Sequence, residues 1–307
     1  MATVAAPAER GARARTLGIR RKNRLRQDEL SVVGTLFLVL FAIVMFVPFV
    51  LLFGHAFETY SELYHFPPII IPYQLTLQNF STLVLSLSSF QVPFARYLFN
   101  SAMVATAVVL GTVVIATVAA YPLSKHQKMP GHGIIWFLVI ASLMYAGPAI
   151  NVPQYLVMER LGLINTDWSL ILPPVFGTSF GLFLMKQFID SLPDAVLEAA
   201  RIDGASEWRI LKEIVYPATR PAWAVLILLT FVQVWNDAVS PQLFIYNDAL
   251  KTLPVAFANL VPAGNTIAFA GAQAVAAMLM ALPPMILFLI MQSRIIATMQ
   301  FAGMGGS

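Results

Sequence analysis

The chain has 307 residues, 58% of them apolar, 11% charged and none cysteine. A water-soluble domain carries about 25% charged residues. Nineteen basic and 15 acidic groups are too few to cover a soluble surface of this size, so the composition points to a bilayer. The lack of cysteine excludes a disulfide framework, a thiolate nucleophile and cysteine-based metal sites. The pI of about 9.4 invites a nucleic-acid reading that the placement of the charges rejects.

Residues 1–29 form a basic, cytoplasmic N-terminal tail whose polar, Ala/Arg-rich composition is that of a disordered segment. Its eight basic residues between Arg10 and Arg26 could be a nucleic-acid arm. Placed directly before an apolar run, such a cluster is the signature of an anchor on the inner leaflet. That run is too long for a signal-peptide core and ends without a small-x-small cleavage site, so it reads as the first helix.

About 20 apolar residues are needed to cross the hydrocarbon layer. Spans are expected at about 30–53, 98–122, 133–153, 170–188, 222–244 and 269–293. The last uncharged stretch, Thr252–Ser293, is long enough for two. Pro254, Asn259, Pro262, Gly264 and Asn265 break its first part, so about 252–266 reads as an exposed or re-entrant loop. Six spans with the N-terminus inside put 16 of the 19 basic residues on the cytoplasmic side. Only Arg96, Arg160 and Lys251 fall outside, as the positive-inside rule requires. The expected fold is an all-α polytopic membrane protein of six transmembrane helices, both termini cytoplasmic.

No Gly-x-x-x-x-Gly-Lys-Ser/Thr loop occurs, so the chain is not expected to hydrolyse ATP. The four histidines, His55, His65, His126 and His132, make no His-Glu-x-x-His pair, and no Gly-x-Ser-x-Gly elbow is present. No residue is nominated as catalytic or metal-ligating. One ionisable group falls inside an expected span: Asp237, in Gln233-Val234-Trp235-Asn236-Asp237. A lone carboxylate in lipid costs at least ~2.5–3.5 kcal/mol, so it needs a partner, a watery cavity or a proton. It belongs either to a packing cluster with Asn236 and Gln233 or to a pathway wall. The second reading admits a rival function, a secondary carrier or channel using Asp237.

The longest inner loop, 191–221, mixes both charge signs. Pro193 and Asp194 suit a helix start, and Asp194, Glu198 and Arg201 share one face. Gly204 permits a left-handed turn. Ser206 and Glu207 open a second helix with Trp208, Leu211 and Val215 on its apolar side. Two short helices at a small-residue turn make a knob that can seat in a partner's groove. A lipid-facing interfacial pair is the alternative.

The loop reads Glu198-Ala199-Ala200, three residues, Gly204, nine residues, Ile214-Val215-Tyr216-Pro217. It resembles the EAA signature of permease subunits of ATP-binding-cassette importers, with Tyr216 at a leucine position where a packing contact is expected. Over about residues 30–307 the chain is similar to the carbohydrate-uptake branch, of MalG-like type. The stretch from Glu198 to Ser206, the Trp235-Asn236 pair and the short C-terminal tail carry that likeness.

The resemblance implies a transport subunit without its own ATPase site, in a bacterial or archaeal plasma membrane. It implies a second homologous permease, an ATP-binding-cassette ATPase dimer carrying the ATP and Mg2+, and an extracellular solute-binding protein that delivers a sugar or oligosaccharide. No cofactor is expected on this chain, and no nucleic acid as partner. Glu198, Ala199, Ala200, Arg201, Asp203 and Gly204 would couple to the ATPase. The loop near 252–266 would meet the binding protein. Trp235, Asn236, Gln233, Tyr145 and Asn151, aromatics and amides suited to sugar, are candidates for the substrate pathway.

Overall fold

In the computed structural model, which describes residues 7–65, 72–88, 92–144, 147–260 and 269–304, no strand occurs among the described residues. Helix α1 (Pro7–Phe57) takes in most of the tail expected to be disordered. Ala, Arg, Leu, Glu and Lys are strong helix formers, and no proline interrupts them before Pro48. From Val32 to Phe49 its large side chains stay exposed, Phe37 at 65% and Phe46 at 60%. A helix apolar all round and uncovered by its own chain belongs in lipid or against another membrane subunit.

Next come α2 (Gln78–Ser88), α3 (Phe94–Lys125), α4 (His132–Ser142), α5 (Gly147–Arg160), α6 (Trp168–Phe176) and α7 (Ser179–Asp190). They are followed by α8 (Asp194–Ile202), α9 (Glu207–Ile210), α10 (Tyr216–Ala218), α11 (Arg220–Trp235), α12 (Val239–Phe244), α13 (Leu253–Leu260) and α14 (Ala270–Met304). The centre is α3, about 48 Å long at ~1.5 Å per residue. It packs on α6, α7 and α11, while α14 packs on α1, α2 and α11.

Four stretches are long and apolar enough to cross a membrane: Val32–Phe57, Phe94–Lys125, Trp168–Asp190 and Ala270–Ile295. They correspond to the first, second, fourth and sixth expected spans. The third and fifth are interrupted. In the third, α4 ends at Ser142 and α5 starts at Gly147, where glycine and Pro148 favour a fresh first turn over a continued helix. The fifth, expected unbroken over 222–244, stops at Trp235 and resumes as α12.

The break in the fifth has a visible cause. Asp237 Oδ1 accepts the N–H groups of Val239 at 2.9 Å and Ser240 at 3.1 Å, satisfying first-turn donors of α12 as a cap does. The loop expected at 252–266 also differs. Its first part is the helix α13, buried from Leu253 to Phe257. Pro254 is tolerated because its missing N–H falls in the first turn, where no intrahelical bond is needed. Eight residues rise only about 12 Å, so α13 is not a seventh span. Pro262, Gly264 and Asn265 lie outside the described residues.

Three buried apolar clusters succeed one another along α3. Tyr97 and Ala105 meet Leu253, Phe257 and Val275; Val104 and Val108 meet Leu170, Val175 and Phe244; Ala116, Ala120 and Tyr121 meet Met185, Ile189, Leu197 and Val215. Small side chains let the helices approach closely, as membrane packing requires. Gly181 of α7 is one such close point: a Cβ there would press on Thr178 Oγ1 and lie 3.0 Å from Leu226 Cδ1 and 3.4 Å from Ala116 Cβ. Gly181→Val is expected to destabilise the bundle by ~1–3 kcal/mol through overpacking, seen as a lower melting temperature in detergent. Gly34→Val, with nothing within 4 Å, is expected to leave it unchanged.

Candidate functional site

The last turn of α3 is stitched to the chain on either side of Pro193. Ser124 Oγ donates to Asp190 Oδ1 at 2.6 Å, and Lys186 Nζ holds the other oxygen of Asp190 at 2.7 Å. Lys125 Nζ donates to Leu192 O and to Asp194 Oδ1, both at 2.8 Å. That hydrogen bond, reinforced by the lysine's charge, holds the Asp194 carboxyl below the usual carboxylate range. Leu197, 1% exposed, then roots α8 in a cluster with Ile210, Leu211 and Val215.

The turn after α8 is left-handed at Gly204, with φ +81°, and closes through Gly204 N–H to Arg201 O and Ala205 N–H to Ala200 O, both 3.0 Å. Such bonds satisfy the last carbonyls of a helix, and the positive φ favours glycine. Ser206 caps α9 by accepting the Arg209 N–H. Across the turn, Arg201 Nε donates to Glu207 Oε1 at 2.8 Å, and Tyr121 Oη donates to Glu207 Oε2. Arg201, then the tyrosine hydroxyl, hold Glu207 below the usual carboxylate range against the opposing effect of partial burial.

The residues grouped by sequence therefore divide. Asp194 and Arg201, though exposed, act as fasteners through Lys125 and Glu207, whereas Ala195, Val196, Glu198, Ala199, Ile202 and Asp203 are exposed and Ala200 half-buried. Trp208, expected on the apolar side of the second helix, is 67% exposed, and Ile210 is buried instead. Leu211 and Val215 are buried as expected, and a π turn spans Leu211–Val215. Behind the knob a cleft of about 1020 Å³ is bounded by α3, the His126–Met129 turn and α8–α9, with both charge signs on its walls.

Deeper in the bundle lie two cavities of about 590 and 340 Å³ that share Pro174, Gly177, Gln233 and Val234 as walls. Asn151, Gln154, Asp237, Ser240 and Thr252 line the larger; Thr112, Thr178 and Thr230 line the smaller. The buried hydroxyls of Thr112 and Thr252 have no hydrogen-bond partner among the described residues.

Of the five pathway candidates, Asn151 and Gln233 stand on these walls. Trp235 does not: it is 3% exposed, its Nε1 donates to Met280 O at 3.1 Å and its ring stacks on Phe231, tying α11 to α14. Asn236 Nδ2 turns back to Val232 O at 2.8 Å. Tyr145 lies outside the described residues. Sequence reasoning missed Gln154, although it follows Asn151 at i+3 and so shares its helix face.

Residues 155–300 match the family model described as "Binding-protein-dependent transport system inner membrane component". The sn-glycerol-3-phosphate transport system permease protein UgpE of Pectobacterium atrosepticum is 31% identical over 201 residues, 65% of this chain and 70% of that protein. The protein of the same name from Escherichia coli (strain K12) is 28% identical over 259 residues, 84% of this chain and 91% of that one. Among solved structures, a chain of a bacterial ABC transporter involved in the import of the acidic polysaccharide alginate superposes with a TM-score of 0.69 at 18% identity. That match covers 95% of this chain and 99% of the other. A chain of an alginate ABC transporter in complex with an alginate pentasaccharide-bound periplasmic protein gives 0.59 at 17% identity, over 88% and 94% of the two chains. At these identities the superpositions establish the fold.

Because Glu207 is lowered in the folded chain, the stability it contributes is complete above the ordinary glutamate range, near ~4.3. It is lost as pH falls through the lower folded value. The melting-temperature gap between the wild type and Glu207→Gln is thus expected to be constant near neutrality and to close in acid. A gap that widened on acidification would contradict the clamp.

Proposed function

The chain belongs to the binding-protein-dependent transport system inner membrane component family, and from that premise we propose that it builds half of the translocation pathway of an ATP-binding-cassette importer. A second homologous permease supplies the other half, and an external binding protein delivers the solute. The solute is a sugar or oligosaccharide. Supporting this are the hydroxyl- and amide-lined cavities, whose threonine hydroxyls, unpartnered among the described residues, suit a polyhydroxylated ligand, and the alginate named for the structural neighbours. The sn-glycerol-3-phosphate named for the relatives is a polyol phosphate. The termini face the cytoplasm on the charge asymmetry of the loops.

The observation that carries the reading is the knob. Its outward face is made of Ala195, Val196, Ala199 and Ile202 beside Glu198, small or apolar groups that fit a protein groove closely. Its inward face is fastened to α3. Ala199, Ala200 and Gly204 give close approach, Glu198 and Asp203 supply charge at the rim, and Arg201 keeps the turn in shape. The groove belongs to ATPase subunits that hold ATP and Mg2+. Their closure pushes the knob, and the knob moves α3 and α7. Reversing a 1:99 population of two bundle states needs ~5.5 kcal/mol of differential binding, a scale that closure of an ATPase pair around nucleotide supplies.

Asp237 gives the carrier alternative little support, since its carboxylate already accepts two backbone N–H groups as a cap.

Gly204→Val forces a β-branched residue to φ +81°, and Glu198→Lys reverses the charge at the rim. Each is expected to lower nucleotide-dependent uptake by reconstituted assemblies at least tenfold and to weaken copurification of the ATPase, with normal insertion. Unchanged uptake and ATPase recovery in both variants would refute the coupling role. Uptake independent of nucleotide would restore the carrier reading.

A further inference from the structure

Between the start of α11 and the later part of α14 lies a cavity of about 570 Å³ that neither coupling nor translocation uses. Arg220 and Arg294 stand on its walls with Trp223, Ile227 and Met291, and none of its described walls is acidic. Both arginines are exposed. Trp223 brings a buried indole N–H with no acceptor among the described residues, and its ring packs edge-on against Tyr216 at 5.2 Å.

The cavity's position in the bundle narrows what it can hold. Arg220 opens α11 directly after the knob, and Arg294 is one residue from the end of the Ala270–Ile295 span. Both guanidiniums therefore sit where a bilayer places its headgroups. Arginine at a span end and tryptophan beside it are interfacial residues. Basic pockets between transmembrane helices take anionic headgroups.

We infer that this cavity binds an anionic phospholipid. Its phosphate oxygens accept from Arg220 and Arg294 in charge-assisted bonds. The Trp223 indole N–H supplies a third donor, and Ile227 and Met291 give the acyl chains an apolar wall. A free phosphate ion shares the anionic chemistry but has no use for that apolar wall.

The test measures lipid retention by native mass spectrometry on the full-length chain in its purified assembly, after delipidation. The probes are phosphatidylglycerol, phosphatidylcholine and inorganic phosphate. Wild type is expected to hold phosphatidylglycerol about tenfold more tightly than phosphatidylcholine, whose choline cancels the phosphate charge, on the scale of the attraction of basic residues to net-anionic lipid. The double variant Arg220→Gln/Arg294→Gln is expected to lose that preference. Trp223→Phe, which keeps the ring and removes one donor, is expected to weaken phosphatidylglycerol severalfold and decides the matter should the double variant not fold. Equal retention of the two lipids, or variants that behave as wild type, would overturn the inference. So would inorganic phosphate displacing the lipid completely, or cross-links from position 291 showing that another polypeptide fills the cavity.

Discussion

The structure depends on the polar fastening of α3 at both of its ends. At one end Tyr121, Ser124 and Lys125 bond to Glu207, Asp190, Leu192 and Asp194. At the other, Asn100 Nδ2 donates to Ala249 O at 2.8 Å and Lys251 O at 3.0 Å, and Ser101 Oγ accepts the Leu253 N–H at 2.8 Å. One continuous helix about 48 Å long thus grips the knob and the segment leading into α13. Between those grips its contacts with α6 and α11 are mainly apolar, which leaves these helices freer to shift against it, whereas α7 is tied to it through Asp190. Under the proposed coupling role, a push on the knob would travel along α3 toward the segment leading into α13.

Broken helices are the second organising feature, and each break needs its freed backbone groups satisfied where water is scarce. Asp237 does this for α12, and Asn236 turns back on α11. Asn165, itself at φ +63°, accepts the N–H groups of Tyr246 and Asn247 at 3.0 and 2.8 Å, joining the loop before α6 to the loop after α12. Polar residues that looked like chemistry in a one-dimensional reading therefore serve backbone accounting. The groups left over, the hydroxyls of Thr112 and Thr252 and the amides of Asn151, Gln154 and Gln233, line the cavities.

Much of this was legible in advance, for a physical reason. A long apolar run has one comfortable environment, so the four uninterrupted spans could be read from composition alone. The Gly204 turn could be read because few other residues tolerate its backbone conformation. Local pattern could not show which side chains meet across the fold. Arg201 and Glu207 are six apart in sequence, but Tyr121, which completes their clamp, comes from another helix. Trp235 was a pathway candidate because aromatics serve both purposes; its burial, its stacking on Phe231 and its bond to Met280 O depend on folding and are not visible in local pattern. Pro254 was misjudged because proline breaks a helix in its interior and suits its first turn, and the boundary was not visible.

Attachment and aim of the knob rest on different forces. Exposed ion pairs contribute about 0–1 kcal/mol each, so Lys125–Asp194 and Arg201–Glu207 cannot by themselves hold the knob against a load. Fully burying a large aliphatic side chain contributes about 1.5–3 kcal/mol, and Leu197, Ile210, Leu211 and Val215 are all buried at its base. Apolar contacts therefore hold the knob on the bundle, while the directional polar bonds choose its angle. That division suits the proposed coupling role: a base held by apolar burial would survive a load, and a carboxylate–guanidinium pair spanning a single glycine turn would set the direction in which it is delivered.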